Sequence, residues 1–160
     1  MSVKIYTDGS SRGNPGPGGY GVVLISDDGH RKEVAKGFRK TTNNRMELLS
    51  VIIGLELIKV KPMDIIVFSD SKYVVDAVEK KWVFKWEKKM FEKKKNSDLW
   101  KRFLSIYRQH NVRFVWIKGH NNHPENERCD RLAVAAAKSE KIHDIDRGYE
   151  DSCNQDRTLF

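Results

Sequence analysis

Three β-rich runs open this chain, and helical patterns alternate with short apolar runs after them. That order leaves few folds open. Val3 to Thr7 is rich in β-formers, and Tyr20 to Ser26 is nearly continuous apolar strand. His30 to Arg39 returns as a third strand after the hairpin signal Asp27-Asp28-Gly29. Sequential strands on turn-forming connections predict an antiparallel meander. Asn43 to Val60 then places Met46, Leu49, Ile52, Ile53 and Leu55 at helical spacing, and Lys61-Pro62 stops it. Asp64 to Phe68 is a short buried strand, Ser71 to Lys81 a helix, and Ser97 an N-cap for a helix through His110. Val112 to Ile117 alternates as a strand, and Asn126 to Lys138 is an alanine-rich helix. Helical crossovers make the first, fourth and fifth strands parallel, with right-handed connections. The expected architecture is α/β: a five-stranded mixed sheet, antiparallel meander plus parallel strands, flanked by helices. Ile142 to Phe160 is polar and unpatterned and reads as a flexible tail.

Four carboxylates stand where those elements end or begin. Asp8 closes the first strand and Asp70 follows the fourth; Glu47 lies near the start of the long helix and Asp130 near the start of the last. Parallel strands carry sites at their carboxyl ends, so the four can converge at one sheet end. Clustered like charges repel and would destabilise the fold unless cations fill the cluster. Hard oxygen donors in that number suit Mg²⁺ or Mn²⁺, which points to metal-assisted phosphoryl chemistry. Each acid also has a local explanation. Asp8-Gly9 is a turn pair, and Asp70 could serve the N-terminus of the next helix. Glu47 could close a capping box with Asn44, and Asp130 could sit in a helix dipole.

Charge narrows the class of partner. The net charge is +8, and between Lys80 and Lys95 eight lysines face only Glu87 and Glu92, a local +6. Trp82, Phe84, Trp86 and Phe91 are interleaved with them, the footprint expected of a polyanion site. A solvated amphipathic helix is the plainer alternative, and Trp82 and Trp86 share a face that could be partly buried. No apolar run is long enough to span a bilayer, and the two cysteines, Cys129 and Cys153, make no disulfide framework. A free-standing cytoplasmic monomer with no membrane association is the expectation.

The motifs together resemble type 1 ribonuclease H, of the bacterial ribonuclease HI type, over roughly Val3 to Lys138. They are Thr7-Asp8-Gly9-Ser10, Gly13 to Gly21, Thr41-Thr42-Asn43-Asn44-Arg45-Met46-Glu47-Leu48, Ser69-Asp70-Ser71 with Tyr73-Val74, and Val115 to His120 continuing through His123-Pro124 to Asp130. The resemblance implies a ribonuclease H-like domain over residues 1–140 with a basic handle at about 80–96, slightly shortened, and a tail at 141–160. It implies an endoribonuclease acting on the RNA strand of RNA–DNA hybrids. Asp8, Glu47, Asp70 and Asp130 would hold two Mg²⁺ ions, about 4 Å apart, with Mn²⁺ as a substitute. Asp8 and Asp70 would be the inner ligands and Asp130 the adaptable one. Glu47 would also fix the attacked nucleotide through its 2′-hydroxyl, and the products would carry 5′-phosphate and 3′-hydroxyl ends. His120, in a loop, would assist proton transfer or product release, since histidine titrates near neutral pH. A zinc site of His120, His123 and Cys129 fits no usual spacing. Arg12, Gly13, Asn14, Asn43 and Asn44 would approach the minor groove, where RNA is told from DNA by its 2′-hydroxyl. Thr42 and Asn96 would take a DNA-strand phosphate, Trp82 and Trp86 would line the DNA channel, and Lys88 and Lys89 would add a salt-sensitive grip.

Overall fold

The structure, a computed structural model, describes residues 1–119 and 123–157, the last three of these by backbone alone. Strands β1 (Ser2–Ser11), β2 (Gly16–Ser26) and β3 (Arg31–Thr41) form the antiparallel meander. Helix α1 (Asn43–Glu56) crosses to β4 (Asp64–Ser69), which pairs parallel with β1 from Ser2↔Asp64 to Tyr6↔Phe68. Helices α2 (Lys72–Glu79), α3 (Trp82–Lys88) and α4 (Ser97–Tyr107) lead to β5 (Asn111–Trp116), parallel to β4. The sheet order is β3-β2-β1-β4-β5, so β1 is central and Asp70 follows the end of its parallel neighbour β4. Asp8, read from the sequence as the end of the first strand, lies inside β1, just past the last pair with β4, because Asp8 to Ser11 go on pairing with Gly21 to Gly18 of β2. Helix α5 (Pro124–Lys138) follows.

Helix α1 packs between the sheet and α4. Met46, Leu48, Val51, Ile52 and Leu55 are all fully buried, so apolar residues occur around the whole helix rather than on one stripe. The spacing suggested a helix to Val60, but it ends at Glu56 with Leu57 as its cap. Ile58 lies beyond that end and is still buried, which carried the apolar rhythm past the last turn.

Helix α5 lies across β1, β2 and β3 on the other face. It comes close because glycines face it. A Cβ built on Gly21 would stand 2.3 Å from the Cys129 carbonyl oxygen, and one on Gly37 would stand 2.1 Å from that of Ala136. Surface ion pairs, Arg31 with Glu125 and Arg128 with Glu33, tie the helix to the meander. Solvent screens such exposed pairs, so close packing rather than charge holds α5. The helix begins at Pro124, two residues before the expected start, because proline is preorganised for the first helical position.

The segment read as a flexible tail is not unpatterned. A 3₁₀ turn spans Glu140–Ile142, Asp144 bridges Phe38 of β3, and α6 spans Arg147–Arg157. Its anchors are polar. Asp146 is buried and accepts from the Thr41 hydroxyl at 2.7 Å and from Arg45 Nε at 2.8 Å. Arg39 grips Glu150 with two hydrogen bonds, at 2.8 and 2.9 Å. An apolar-periodicity search has nothing to find here, because the docking runs through charge.

Gly21 pairs with Asp8 across β1 and β2 and lies beneath the Cys129 turn of α5. Gly21→Ala should force that helix outward, costing roughly 1–3 kcal/mol as overpacking does. Thermal unfolding followed by circular dichroism should show a drop on the order of 5 °C; an unchanged melting temperature would remove the argument that glycine sets the spacing.

Candidate active site

The end of β1 is pressed against α1. A Cβ on Gly9 would sit 2.3 Å from the Met46 carbonyl carbon and 2.5 Å from the Glu47 nitrogen. That approach brings the first turn of α1 beside Asp8. The Thr42 hydroxyl caps α1 by accepting from the Arg45 N–H at 3.3 Å, so Glu47 is not needed in a capping box. Ser71 caps α2 by accepting from the Val74 N–H at 3.3 Å, so Asp70 is not that cap. Freed of those duties, the carboxylates of Asp8, Glu47 and Asp70 each place an oxygen within 4.8 Å of the other two.

Electrostatically the cluster is under load. Burial first, then the charge of Asp70, and further the proximity of Asp130, push the Asp8 carboxyl up to about 8, while a hydrogen bond with Glu47 pulls the other way. Burial and the charges of Asp8 and Asp70 hold Glu47 well above the usual carboxylate range. Glu47 Oε2 is buried and has no hydrogen-bond partner among the described residues. A buried carboxylate oxygen without a partner, set among other carboxylates, is a donor that a divalent cation would satisfy. The donor set is all oxygen, which suits Mg²⁺ or Mn²⁺ over softer metals. The residues therefore fit a divalent cation.

Asp130 approaches from α5 on the opposite side of β1. Since α5 starts at Pro124, Asp130 is in its second turn, beyond the reach of the helix N-terminus expected from the sequence. It is not a member of the three-carboxylate group within 4.8 Å, though it lies close enough to act on Asp8. Cys129 beside it is fully buried, and its thiol donates to the Tyr6 carbonyl at 3.2 Å. His123 occupies the N-cap position of α5 and makes no side-chain cap bond. His120 lies outside the described residues.

The other predicted contacts line one flank. Asn43 Oδ1 accepts from the Ser11 N–H at 2.8 Å, and Asn14 Oδ1 accepts from the Asn43 N–H at 3.1 Å. These bonds lash the β1–β2 loop, with exposed Arg12 and Gly13, to the start of α1. They use the amide oxygens and leave the NH₂ groups as outward donors. Asn14, Thr42, Asn44 and Asn96 border a cavity of about 710 Å³, with Lys94 and Lys95 at its edge. The handle divides its aromatics. Trp86 packs edge-on against the buried Trp100 at 5.7 Å, while Trp82 is 41% exposed beneath the Lys80 ammonium. Lys88 and Lys89 are fully in solvent reach at the end of α3. Lys81, Met90, Phe91, Lys93 and Asn96 all hold left-handed backbone, and the buried Phe91 ring pins that turn down. Arg45 and Tyr73 carry contacts that the residue pattern did not single out, and both meet Asn96.

Comparison with known proteins agrees with this geometry. The family model for RNase H matches residues 1–138. A protein of Desulforamulus reducens named Ribonuclease H is 54% identical over 145 residues, covering 88% of this chain and 90% of its own. A Synechocystis protein named Ribonuclease HI is 44% identical over 153 residues, covering 92% and 94%. The crystal structure of LC9-RNase H1, a type 1 RNase H with the type 2 active-site motif, superposes with a TM-score of 0.78 at 33% identity, covering 95% of this chain and 80% of that one. LC11-RNase H1, solved in complex with RNA/DNA hybrid, superposes with a TM-score of 0.66 at 29% identity, covering 87% and 99%.

In the folded protein Asp8 keeps its proton to about pH 8. In the unfolded chain an aspartate releases it near pH 4, so the unfolded state binds fewer protons across that window. Cation-free stability should therefore fall as pH rises through it. Thermal melts in chelator at pH 5 and pH 8 should show that loss, Asp8→Asn should flatten it, and millimolar Mg²⁺ should reverse it at pH 8. A pH-independent difference between wild type and Asp8→Asn would mean that the cluster is not repulsive.

Proposed function

The chain belongs to the ribonuclease H family, and from that premise we propose that it is an endoribonuclease hydrolysing the RNA strand of RNA–DNA hybrids. The observation that carries the proposal is the convergence of Asp8, Glu47 and Asp70 within 4.8 Å, with a buried Glu47 oxygen left unbonded. Asp8, late in β1, and Asp70, just after the adjacent β4, would form the rigid part of a site for two Mg²⁺ ions, with Mn²⁺ as a substitute. Glu47 and Asp130, reaching in from helices on opposite faces, would complete it. Such ions, when bound, lower the pKa of a water and neutralise charge on the phosphate and on the departing 3′-oxygen, which leaves 5′-phosphate and 3′-hydroxyl ends.

The chain's own residues do the positioning. The backbone around Gly9 fixes Asp8 against Glu47, so the scissile phosphate can be held in one place without rearrangement of the carboxylates. Glu47 would also accept from a ribose 2′-hydroxyl, and the outward amides of Asn14, Asn43 and Asn44 would donate in the minor groove. Arg12 and Gly13 stand on the same loop. These contacts would select RNA on the cleaved strand. Thr42 and Asn96 would hold a DNA-strand phosphate, and Trp82 and Trp86 would flank a deoxyribose. His120 would move a proton during attack or product release. The working location proposed is cytoplasmic, and the working unit a monomer; no helix among the described residues is long and apolar enough to cross a membrane.

Incubation with labelled RNA–DNA hybrid in Mg²⁺ should cut only the RNA strand, with single-stranded RNA, duplex RNA and duplex DNA left intact. Asp70→Asn should lose cleavage while retaining hybrid binding, because it removes a ligand charge and little volume. Full activity in that variant would end the assignment of Asp70.

The handle makes a separate prediction. Replacing Lys88 and Lys89 with alanine should weaken hybrid binding and flatten the slope of log affinity against log salt by up to about 1–2 units, the share of two phosphate contacts. An unchanged slope would place the substrate elsewhere.

A further inference from the structure

The cavity beside Thr42 and Asn96 has a wall that no sequence motif suggested. Tyr149 and Ser152 of α6 line it opposite Asn14 and Asn44. The link between this helix and the rest of the pocket is Arg45, whose guanidinium is buried with only 4% of the side chain exposed. All five of its N–H groups are donated. Nε meets Asp146 Oδ2 at 2.8 Å, and Nη2 meets Asp146 Oδ1 at 2.9 Å and Asp98 Oδ2 at 2.7 Å. Nη1 meets Asp98 Oδ1 at 2.8 Å and Asn96 Oδ1 at 3.3 Å. A guanidinium with every donor used cannot itself bind a phosphate, and two carboxylates more than offset its single charge.

What Arg45 can do is orient Asn96. Arginine only donates, so the side-chain oxygen of Asn96 must face it and the NH₂ group must face away. That NH₂ donates one hydrogen to the Tyr73 hydroxyl at 3.0 Å, and Trp100 Nε1 donates to the same oxygen at 3.0 Å. The amide is thus held from both ends, and its second hydrogen is left for the cavity. Asn96 occupies the N-cap position of α4 at φ 62° yet makes no side-chain cap bond. An N-cap asparagine ordinarily spends its oxygen on the helix. This one spends it on Arg45 instead.

We propose that Arg45 is a positioning residue that presents the Asn96 amide hydrogen to a backbone phosphate of the DNA strand, and that Asp146 of the C-terminal segment holds Arg45 in that pose. The inference rests on the hybrid-nuclease reading above and deepens it. The carboxyl-terminal segment is then part of substrate binding, acting on Asn96 through Asp146 and Arg45. A cavity of about 710 Å³ exceeds one phosphate and admits the flanking sugars as well. Lys94 and Lys95 at its edge supply the charge that saturated Arg45 cannot.

A double-mutant cycle separates positioning from plain stability. KM for a labelled hybrid in Mg²⁺ would be measured for Asn96→Ala, Asp146→Asn and the double variant, at a temperature where circular dichroism shows each fully folded. Asn96→Ala should raise KM about fivefold, the worth of one neutral hydrogen bond, with little change in kcat. Asp146→Asn should raise KM about threefold, no further than Asn96→Ala does, and the double variant should be no worse than Asn96→Ala alone, because both act through one amide. If Asp146→Asn does not fold, Asp98→Asn tests the same link from the other carboxylate. Multiplying effects in the double variant, or an unchanged KM in the carboxylate variants beside a raised one in Asn96→Ala, would overturn the positioning role alone. An unchanged KM in Asn96→Ala would overturn the phosphate pocket itself.

Discussion

The mutual repulsion of Asp8, Glu47 and Asp70 is the constraint around which the rest of this structure is arranged. Left to themselves, three ionised carboxylates with oxygens inside 4.8 Å would separate or take up protons. They stay together because each is fixed to backbone that has no freedom to retreat. Asp8 is on the central strand, paired on both sides. Glu47 is in the first turns of a helix buried all round, and that helix touches β1 through Gly9. Asp70 follows a strand hydrogen-bonded to two neighbours and leads directly into the capped start of α2. Core burial supplies the free energy that the charges oppose. Holding the carboxylates in place before a cation arrives is preorganisation, the same property that the chemistry needs.

This balance explains why so much of the site was legible in the sequence. The strands announce themselves by β-formers and turns, and acids placed late on two adjacent parallel strands, Asp8 on β1 and Asp70 after β4, can only gather at one sheet end. The sheet order and the meeting of Asp8 with Asp70 follow from those two facts. Less could be read where a residue serves two elements. Asn43 and Asn14 looked equally suited to turns and to substrate, and the structure has their oxygens doing the first while their NH₂ groups remain available. Trp82 and Trp86 have the same spacing on one short helix, yet one ring meets Trp100 and the other meets solvent. Periodicity reports which side chains share a face. It does not report how far a neighbouring helix extends across that face.

The C-terminal segment was illegible for a different reason. Its docking depends on Asp146, Glu150 and their arginine partners, and a polar helix carrying few apolar residues gives no periodic signal. A buried arginine shared between two carboxylates is a long-range pairing across about a hundred positions in sequence. No local pattern encodes it. Such a network contributes little net stability against well-packed apolar side chains, but breaking one partner leaves a buried charge uncompensated. Its value is in specificity of arrangement, and here the arranged group is Asn96.

The surface charge completes the picture. The chain carries +8 overall, yet it gathers three carboxylates at one sheet end. Placing the lysines on the handle and the acids at the sheet end puts opposite fields side by side. A polyanion drawn by the handle would be repelled at the carboxylates, and a cation drawn by the carboxylates would be repelled by the handle. Each becomes tolerable only where the other is present: phosphate oxygens complete the coordination of an oxygen-loving cation, and the cation cancels the repulsion between phosphate and carboxylate. On the proposed function, binding of nucleic acid and of metal would be coupled through charge alone, before any conformational change is invoked. The coupling is reciprocal, so a substrate able to bridge handle and cluster raises the affinity for the ion by the same factor that the ion raises its own. On that proposal, selectivity for a hybrid would rest on two separated tests, 2′-hydroxyls beside Glu47 and a deoxyribose backbone beside Asn96. Arg45 belongs to the helix that carries Glu47 and directly bonds Asn96, so it fixes the distance between them.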